Sequence, residues 1–192
     1  MPRTAKQFEE IRTDRKKAIL DAALHVFSEQ GYHNASISKV SKHAGVSKGL
    51  MYNYFENKEE LLDILIGSLI DQEMGAVREV LKKPMTESTM IEFIKLNTQI
   101  LKSKPKQWKL YFSMVTQPEV TKIVEDRFSK EHILITQKTI DFFKQKGNEN
   151  PEMTFALFSA TIAGFKISYI MDSNNYPIDK MEELIIKQFI TS

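Results

Sequence analysis

The sequence predicts an all-α protein of about nine helices: an N-terminal three-helix domain with a helix-turn-helix, then a C-terminal helical bundle. Three observations lead there. Gly (7) and Pro (6) are scarce over 192 residues, and so few breakers favour long helices over many short strands. Apolar residues recur at i, i+3, i+4 and i+7 in successive segments, as in Ile19, Ala22, Ala23, Val26 and Phe27. Between those segments stand cap residues, prolines and glycines where helices start and stop.

Taken in order, the first helix ends near Gln30, because Gly31 follows the last periodic residue. Ser36 precedes Ile37, Val40 and Ala44, a helix of about two turns closed by Gly45. Ser47 then caps a third short helix carrying Met51, Tyr52 and Phe55. Two short helices joined by a tight Gly-containing turn make a helix-turn-helix. Asn57-Lys58-Glu59-Glu60 reads as a capping box, with Glu60 reaching back to the cap amide. The helix it opens runs through Leu61, Leu65, Leu69 and Val77 to about Lys82, where Pro84 ends it. Thr86 caps the next, Pro105 fits the first turn of another, and Pro118 opens a long helix ending at Gly147. Asn150-Pro151 starts a helix to about Asp172, and Asp179-Lys180-Met181-Glu182 reads as a second capping box before Leu184, Ile185 and Phe189. The domains expected are 1–58, a linking helix over 59–82, and a bundle over 83–192.

Composition excludes several classes. With 27% charged and 42% hydrophobic residues, the chain is neither a disordered tail nor a collagen-like repeat. Zero cysteines remove disulfide frameworks, zinc-thiolate sites and thiol chemistry, and fit a reducing cytoplasm. The 13 uncharged residues between Glu152 and Lys166 fall short of the roughly 20 that span a bilayer, so a buried helix and no membrane partner are expected. The first 20 residues lack the apolar core of a signal peptide. Ten basic against six acidic residues in the first 58 give that end a net +4 in a chain of +2 overall. The basic end is where a polyanion would bind.

The run Ala44 to Lys58 carries the most chemistry. Gly45 allows the sharp turn, Val46 plugs it into the core, and Ser47 sets a hydroxyl at a helix N-terminus, where amides and dipole suit a phosphate oxygen. Lys48, Gly49, Leu50, Tyr52, Asn53 and Tyr54 follow on the outward face. They offer a cation, a residue small enough for close approach, an apolar contact for a thymine methyl, two phenols and an amide. A major-groove reader needs such a mixture of few base contacts and many backbone contacts.

From about Arg15 to Leu62 the chain resembles the DNA-binding domain of the tetracycline-repressor (TetR) family. The resemblance lies in Ala22-Ala23, Val26-Phe27, Gly31-Tyr32, Ser36-Ile37 and Val40, and above all in the Gly45 to Lys58 run. Ala35 and Ser36 stand where the family often has two Thr, and Ser41 where Ala is usual. The resemblance implies that Ser36, Ser47, Tyr52, Tyr54 and Lys58 hold phosphates of double-stranded DNA, while Lys48, Gly49, Leu50 and Asn53 face base edges. Arg3, Lys6 and Arg12 could form an arm for the minor groove.

The bundle does not identify itself by motif, and most of its aromatics are expected in the core. The family resemblance implies a homodimer that encloses an effector pocket. Its apolar wall would come from Phe93, Trp108, Tyr111, Phe112, Phe128, Phe158 and Tyr169, with Asn97 or Gln117 orienting a hydrophobic or amphipathic small molecule. Ala160, Gly164 and Ser168 recur every four residues and would let another helix approach closely. With Leu184, Ile185 and Phe189 they form the expected dimer interface. Neither a catalytic motif nor metal-ligand spacing among His25, His33, His43 and His132 supports an enzyme, a cofactor or a metal. The expected function is a dimeric repressor released from a palindromic operator by a hydrophobic effector. The rival is a DNA-binding interaction protein of this fold without an effector.

Overall fold

The computed structural model describes residues 4–191. Among them are nine helices and no strand: α1 (Ala5–Gln30), α2 (Ile37–His43), α3 (Lys48–Met51), α4 (Lys58–Leu81), α5 (Glu87–Ser103), α6 (Pro105–Phe112), α7 (Pro118–Gln145), α8 (Pro151–Met171) and α9 (Ile178–Phe189). The chain divides into two compact units, residues 4–69 with Leu110–Val124, and Ile70–Lys109 with residues 125–191. Helices α4, α6 and α7 each contribute to both. The long α4 is therefore shared, where the sequence suggested a separate linking helix.

The first unit packs Ile19, Ala23 and Phe27 of α1 with Val40 of α2, Met51 of α3, Phe55, and Leu61, Leu62, Leu65 and Ile66 of α4, all essentially solvent-free. Met114 and Val120 complete it. Gly31 ends α1 at φ 75° and Gly45 makes the α2–α3 turn at φ 66°, a region that side chains with a Cβ rarely adopt.

Local capping explains most boundaries. Ser36, Ser47 and Thr86 each accept a hydrogen bond from the amide three residues on. Asn57 does the same for Glu60, at 2.7 Å. Glu60, however, reaches back to the Glu56 amide, one residue before the one expected. The second predicted capping box does not form: α9 begins after Pro177 without a side-chain cap, and Asp179 instead pairs with Lys102 at 2.9 Å. A lysine in reach competes successfully for a carboxylate at the surface.

In the second unit Phe143 stacks edge-on with Phe158 at 5.8 Å, and Phe158 with Phe189 at 5.3 Å. The helix expected to be buried, α8, is buried on one side alone. Phe158, Phe165, Tyr169 and Ile170 are covered, while Met153, Leu157, Ile167 and Met171 are 47–76% exposed. By length and composition α8 is apolar enough to cross a membrane, with mean hydropathy 1.4 and 22% of that window buried. The aromatic core uses one face of α8 and leaves the apolar opposite face uncovered within the chain.

Candidate nucleic-acid interface

The helix-turn-helix is built from short-range hydrogen bonds. The Ala44 amide closes α2 on the Val40 carbonyl at 2.8 Å, and the Val46 amide reaches the Ser41 carbonyl at 3.0 Å. The Ser47 hydroxyl accepts from the Leu50 amide at 3.1 Å. Ser36 accepts likewise from Lys39, at 3.3 Å. Each hydroxyl keeps its own proton to donate.

Helix α3 is a single turn, anchored by Met51 and followed by the buried Phe55. Tyr52, Asn53 and Tyr54 therefore lie in the turn that follows, not on the longer helix expected. Their amides bond back to Leu50 and Met51 carbonyls, which holds the turn tight. Lys48, Gly49, Tyr52 and Asn53 are exposed and Leu50 and Tyr54 half-buried. None of the Lys48, Tyr52 or Asn53 side chains hydrogen-bonds to another described residue. A Cβ built on Gly49 would meet nothing within 4 Å, so the fold does not demand glycine there. The ring of Tyr52, 51% exposed, does not pack into the core.

Lys58 is placed otherwise than predicted. Its ammonium donates to the Tyr32 and Ala35 carbonyls at 3.0 and 3.2 Å, and to His33 at 3.5 Å. It also lies over the Tyr32 ring, 4.2 Å from the centroid. Three carbonyls match its three N–H donors, so in this structure it clamps the α1–α2 loop rather than offering a hand to phosphate. Burial, and next the Glu59 carboxylate that accepts its hydrogen bond, pushes the Tyr32 phenol up to about 12. At the same loop, His33 meets Glu119 at 2.7 Å.

The expected minor-groove arm is helical where it is described. Thr4 and Gln7 form a reciprocal capping box, and α1 carries Lys6 and Arg12 exposed on its surface. Arg3 lies outside the described residues.

Of the nine residues expected to line an effector pocket, Tyr111, Phe112 and Gln117 belong to the first unit and Phe93, Asn97, Trp108, Phe128, Phe158 and Tyr169 to the second. Tyr111 is buried in the first unit, and burial pushes its phenol up. Gln117 is committed to the fold: its side-chain oxygen accepts from the Tyr32 amide at 2.9 Å. In the second unit Phe128, Phe158 and Tyr169 are buried and Phe93, Asn97 and Trp108 half-buried. The Trp108 indole donates to the Ile100 carbonyl at 3.1 Å. His132 is exposed, and no cluster of three metal-ligating side chains occurs among the described residues.

Of the predicted dimer residues, Ala160, Gly164, Ser168 and Leu184 are exposed. Ile185 is 3% exposed and Phe189 stacks on Phe158. Those two face their own unit, since α9 spends its apolar side on the subunit core. Sequence inspection missed Lys166, whose ammonium meets Asn97 at 2.6 Å. Its signal was available: it is the one charged residue between Glu152 and Asp172.

Residues 19–65 match the family described as bacterial regulatory proteins, tetR family. Over 69 residues the chain is 46% identical to the fatty acid metabolism regulator protein of Bacillus subtilis, covering 36% of this chain and 34% of the relative. The match thus spans about a third of that relative's length. Over 159 residues it is 24% identical to the HTH-type transcriptional regulator UidR of Escherichia coli, covering 80% of this chain and 79% of the relative. Among solved structures, FadR from Bacillus subtilis in complex with stearoyl-CoA has the same fold, with TM-score 0.71 and 21% identity over 91% of this chain and 97% of that one. The fatty acid degradation regulator FadR from Bacillus halodurans matches with TM-score 0.67 and 19% identity over 92% and 94%.

Proposed function

We propose that the chain, whose residues 19–65 match the tetR family of bacterial regulatory proteins, is a member of that family acting as a dimeric, sequence-specific DNA-binding repressor that a small-molecule effector releases from a pseudo-palindromic operator. One observation carries the DNA reading: the Lys48, Gly49, Tyr52 and Asn53 surface is exposed, chemically mixed and tied to nothing else among the described residues. Ser36 and Ser47 add hydroxyls at its edges for phosphate oxygens, and Leu50 and Tyr54 add apolar and phenolic contact. Selection of bound sequences from random duplex DNA tests it. The expected product is a pseudo-palindrome with half-site centres about 34 to 36 Å apart, or a multiple. Recovery of no sequence preference would defeat the reading.

A second copy of the chain covers the outer face of α8. Met153, Leu157, Ala160, Gly164, Ser168 and Met171 recur at helical spacing and are exposed, and small residues at the middle let two backbones approach. A contiguous apolar patch of this kind marks an interaction surface, and a two-fold axis would pair the stripe with itself and present two reading heads. Sedimentation at micromolar concentration should give a dimer.

The second unit takes the effector. The name of the Bacillus subtilis relative and the stearoyl-CoA held by a protein of the same fold favour a fatty acyl compound. Helix α4 follows the reading turn directly and continues into the second unit, so a ligand that displaces its far half would alter the near one. A coupling of about 1 to 3 kcal/mol changes operator affinity roughly 5- to 150-fold. Stearoyl-CoA should lower operator affinity within that range and change the emission of Trp108. An operator complex indifferent to acyl compounds would leave the DNA reading intact and favour the effector-free alternative.

A further inference from the structure

Residues three and four apart share a helix face, so Ile162 and Tyr169 flank Lys166 on the side of α8 that also buries Phe158 and Phe165. The exposed stripe runs along the other side. Lys166 therefore aims its ammonium into the second unit, where it donates to the Asn97 side-chain oxygen of α5 at 2.6 Å. The Asn97 amide nitrogen is held in turn by the Phe93 carbonyl at 2.9 Å, which fixes the end of the amide that faces the lysine.

Asn97 satisfies one of the three N–H donors of the ammonium. No carboxylate lies within ion-pair distance of it among the described residues. Burial alone pushes its pKa down to about 8, so the group is charged at neutral pH. Keeping a buried charge without a counter-ion is costly, and an anion brought by a ligand would remove the cost. One turn along α5 from Asn97, the Ile100 carbonyl holds the indole of Trp108. By helical spacing the neighbours of Asn97 and Lys166 on their own helices include Phe93 on α5 and Ile162 and Tyr169 on α8, two apolar side chains and a phenol.

We infer that Lys166, oriented by Asn97, holds the anionic head group of an amphipathic effector, a carboxylate or phosphate oxygen carried on an apolar body. The inference rests on the reading of the second unit as effector-binding and adds what that unit selects. A neutral lipid of the same length gains the apolar contacts but not the charge-assisted hydrogen bond.

Decanoate, decyl phosphate and decanol share one apolar chain and differ in head group. They are titrated against the full-length protein, with calorimetry and Trp108 emission as readouts. At least one anion should bind about tenfold or more tightly than the alcohol, and the tighter of the two distinguishes carboxylate from phosphate. Lys166→Met should bring the anion-to-alcohol ratio to about one, and Lys166→Arg should retain the preference. Equal binding of anions and alcohol by the unmodified protein overturns the assignment without touching the effector reading. A preference that survives Lys166→Met does the same. If neither these probes nor stearoyl-CoA bind, the assignment and the effector reading fail together.

Discussion

In the first unit Phe27, Met51, Phe55 and Leu61 are buried to 2% exposure or less, while the mixed polar surface around Lys48 and Asn53 faces outward. The second unit reverses this arrangement twice, with an apolar stripe outside on α8 and the ammonium of Lys166 inside. A polar surface is ordinary and needs chemistry to reveal its purpose; an exposed apolar stripe and a buried charge are informative in themselves. The same contrast separates roles among the polar groups. Lys58 and Gln117 are committed to backbone at the α1–α2 loop, whereas Lys166 meets a side chain, that of Asn97.

The comparison can be broken most decisively at α8. Gly164 is exposed and a Cβ there meets nothing within 4 Å, so Gly164→Arg should leave helicity intact. It should nevertheless convert dimer to monomer in sedimentation and lower operator affinity by about 100-fold or more, since two linked heads bind far better than one. A dimeric Gly164→Arg protein would move the interface elsewhere.

Lys58→Met removes charge-assisted bonds to the loop carbonyls and should cost about 2 to 3 kcal/mol in denaturant unfolding. Its effect on DNA would follow from the loop, with the salt slope unaltered. A slope reduced by about one at unchanged stability would instead restore Lys58 as a phosphate contact.

Lys48→Ala should leave stability within about 0.5 kcal/mol and cost about 1 to 3 kcal/mol in operator affinity, as measured by fluorescence anisotropy. Gln117→Leu should do the opposite. It leaves the Tyr32 amide without its acceptor at a cost of about 1 to 2 kcal/mol in stability, and effector affinity should stay as it is.

The smallest effect expected is on pH dependence, which rests on one side chain, Lys166. Lys166 has a folded pKa of about 8 against an unfolded value of about 10.4. Between these the unfolded chain holds a proton that the folded chain has released, so stability rises with pH through that window, and the destabilisation is fully present below it. Thermal unfolding from pH 7 to 9.5 should show this rise in the unmodified protein and a weaker one in Lys166→Met. That range stays below the Tyr32 phenol, at about 12.

What the amino-acid sequence determined by itself was whatever neighbours in the chain decide. The ends of α1 at Gly31 and of α2 at Gly45, and the caps at Ser36, Ser47, Asn57 and Thr86, are local, because a side chain bonding an amide three residues on needs nothing from elsewhere. The helix-turn-helix and its outward residues were legible for that reason. Tertiary structure alone decided the rest, through partners far apart in sequence: Lys58 meets Tyr32 across 26 residues, Lys166 meets Asn97 across 69, and Gln117 meets Tyr32 across 85. Periodicity shows that α8 and α9 have apolar faces, but both sides of α8 are apolar, and only packing chooses which one meets the core. That choice buried Ile185, stacked Phe189 on Phe158, exposed Gly164, and turned a lysine inward.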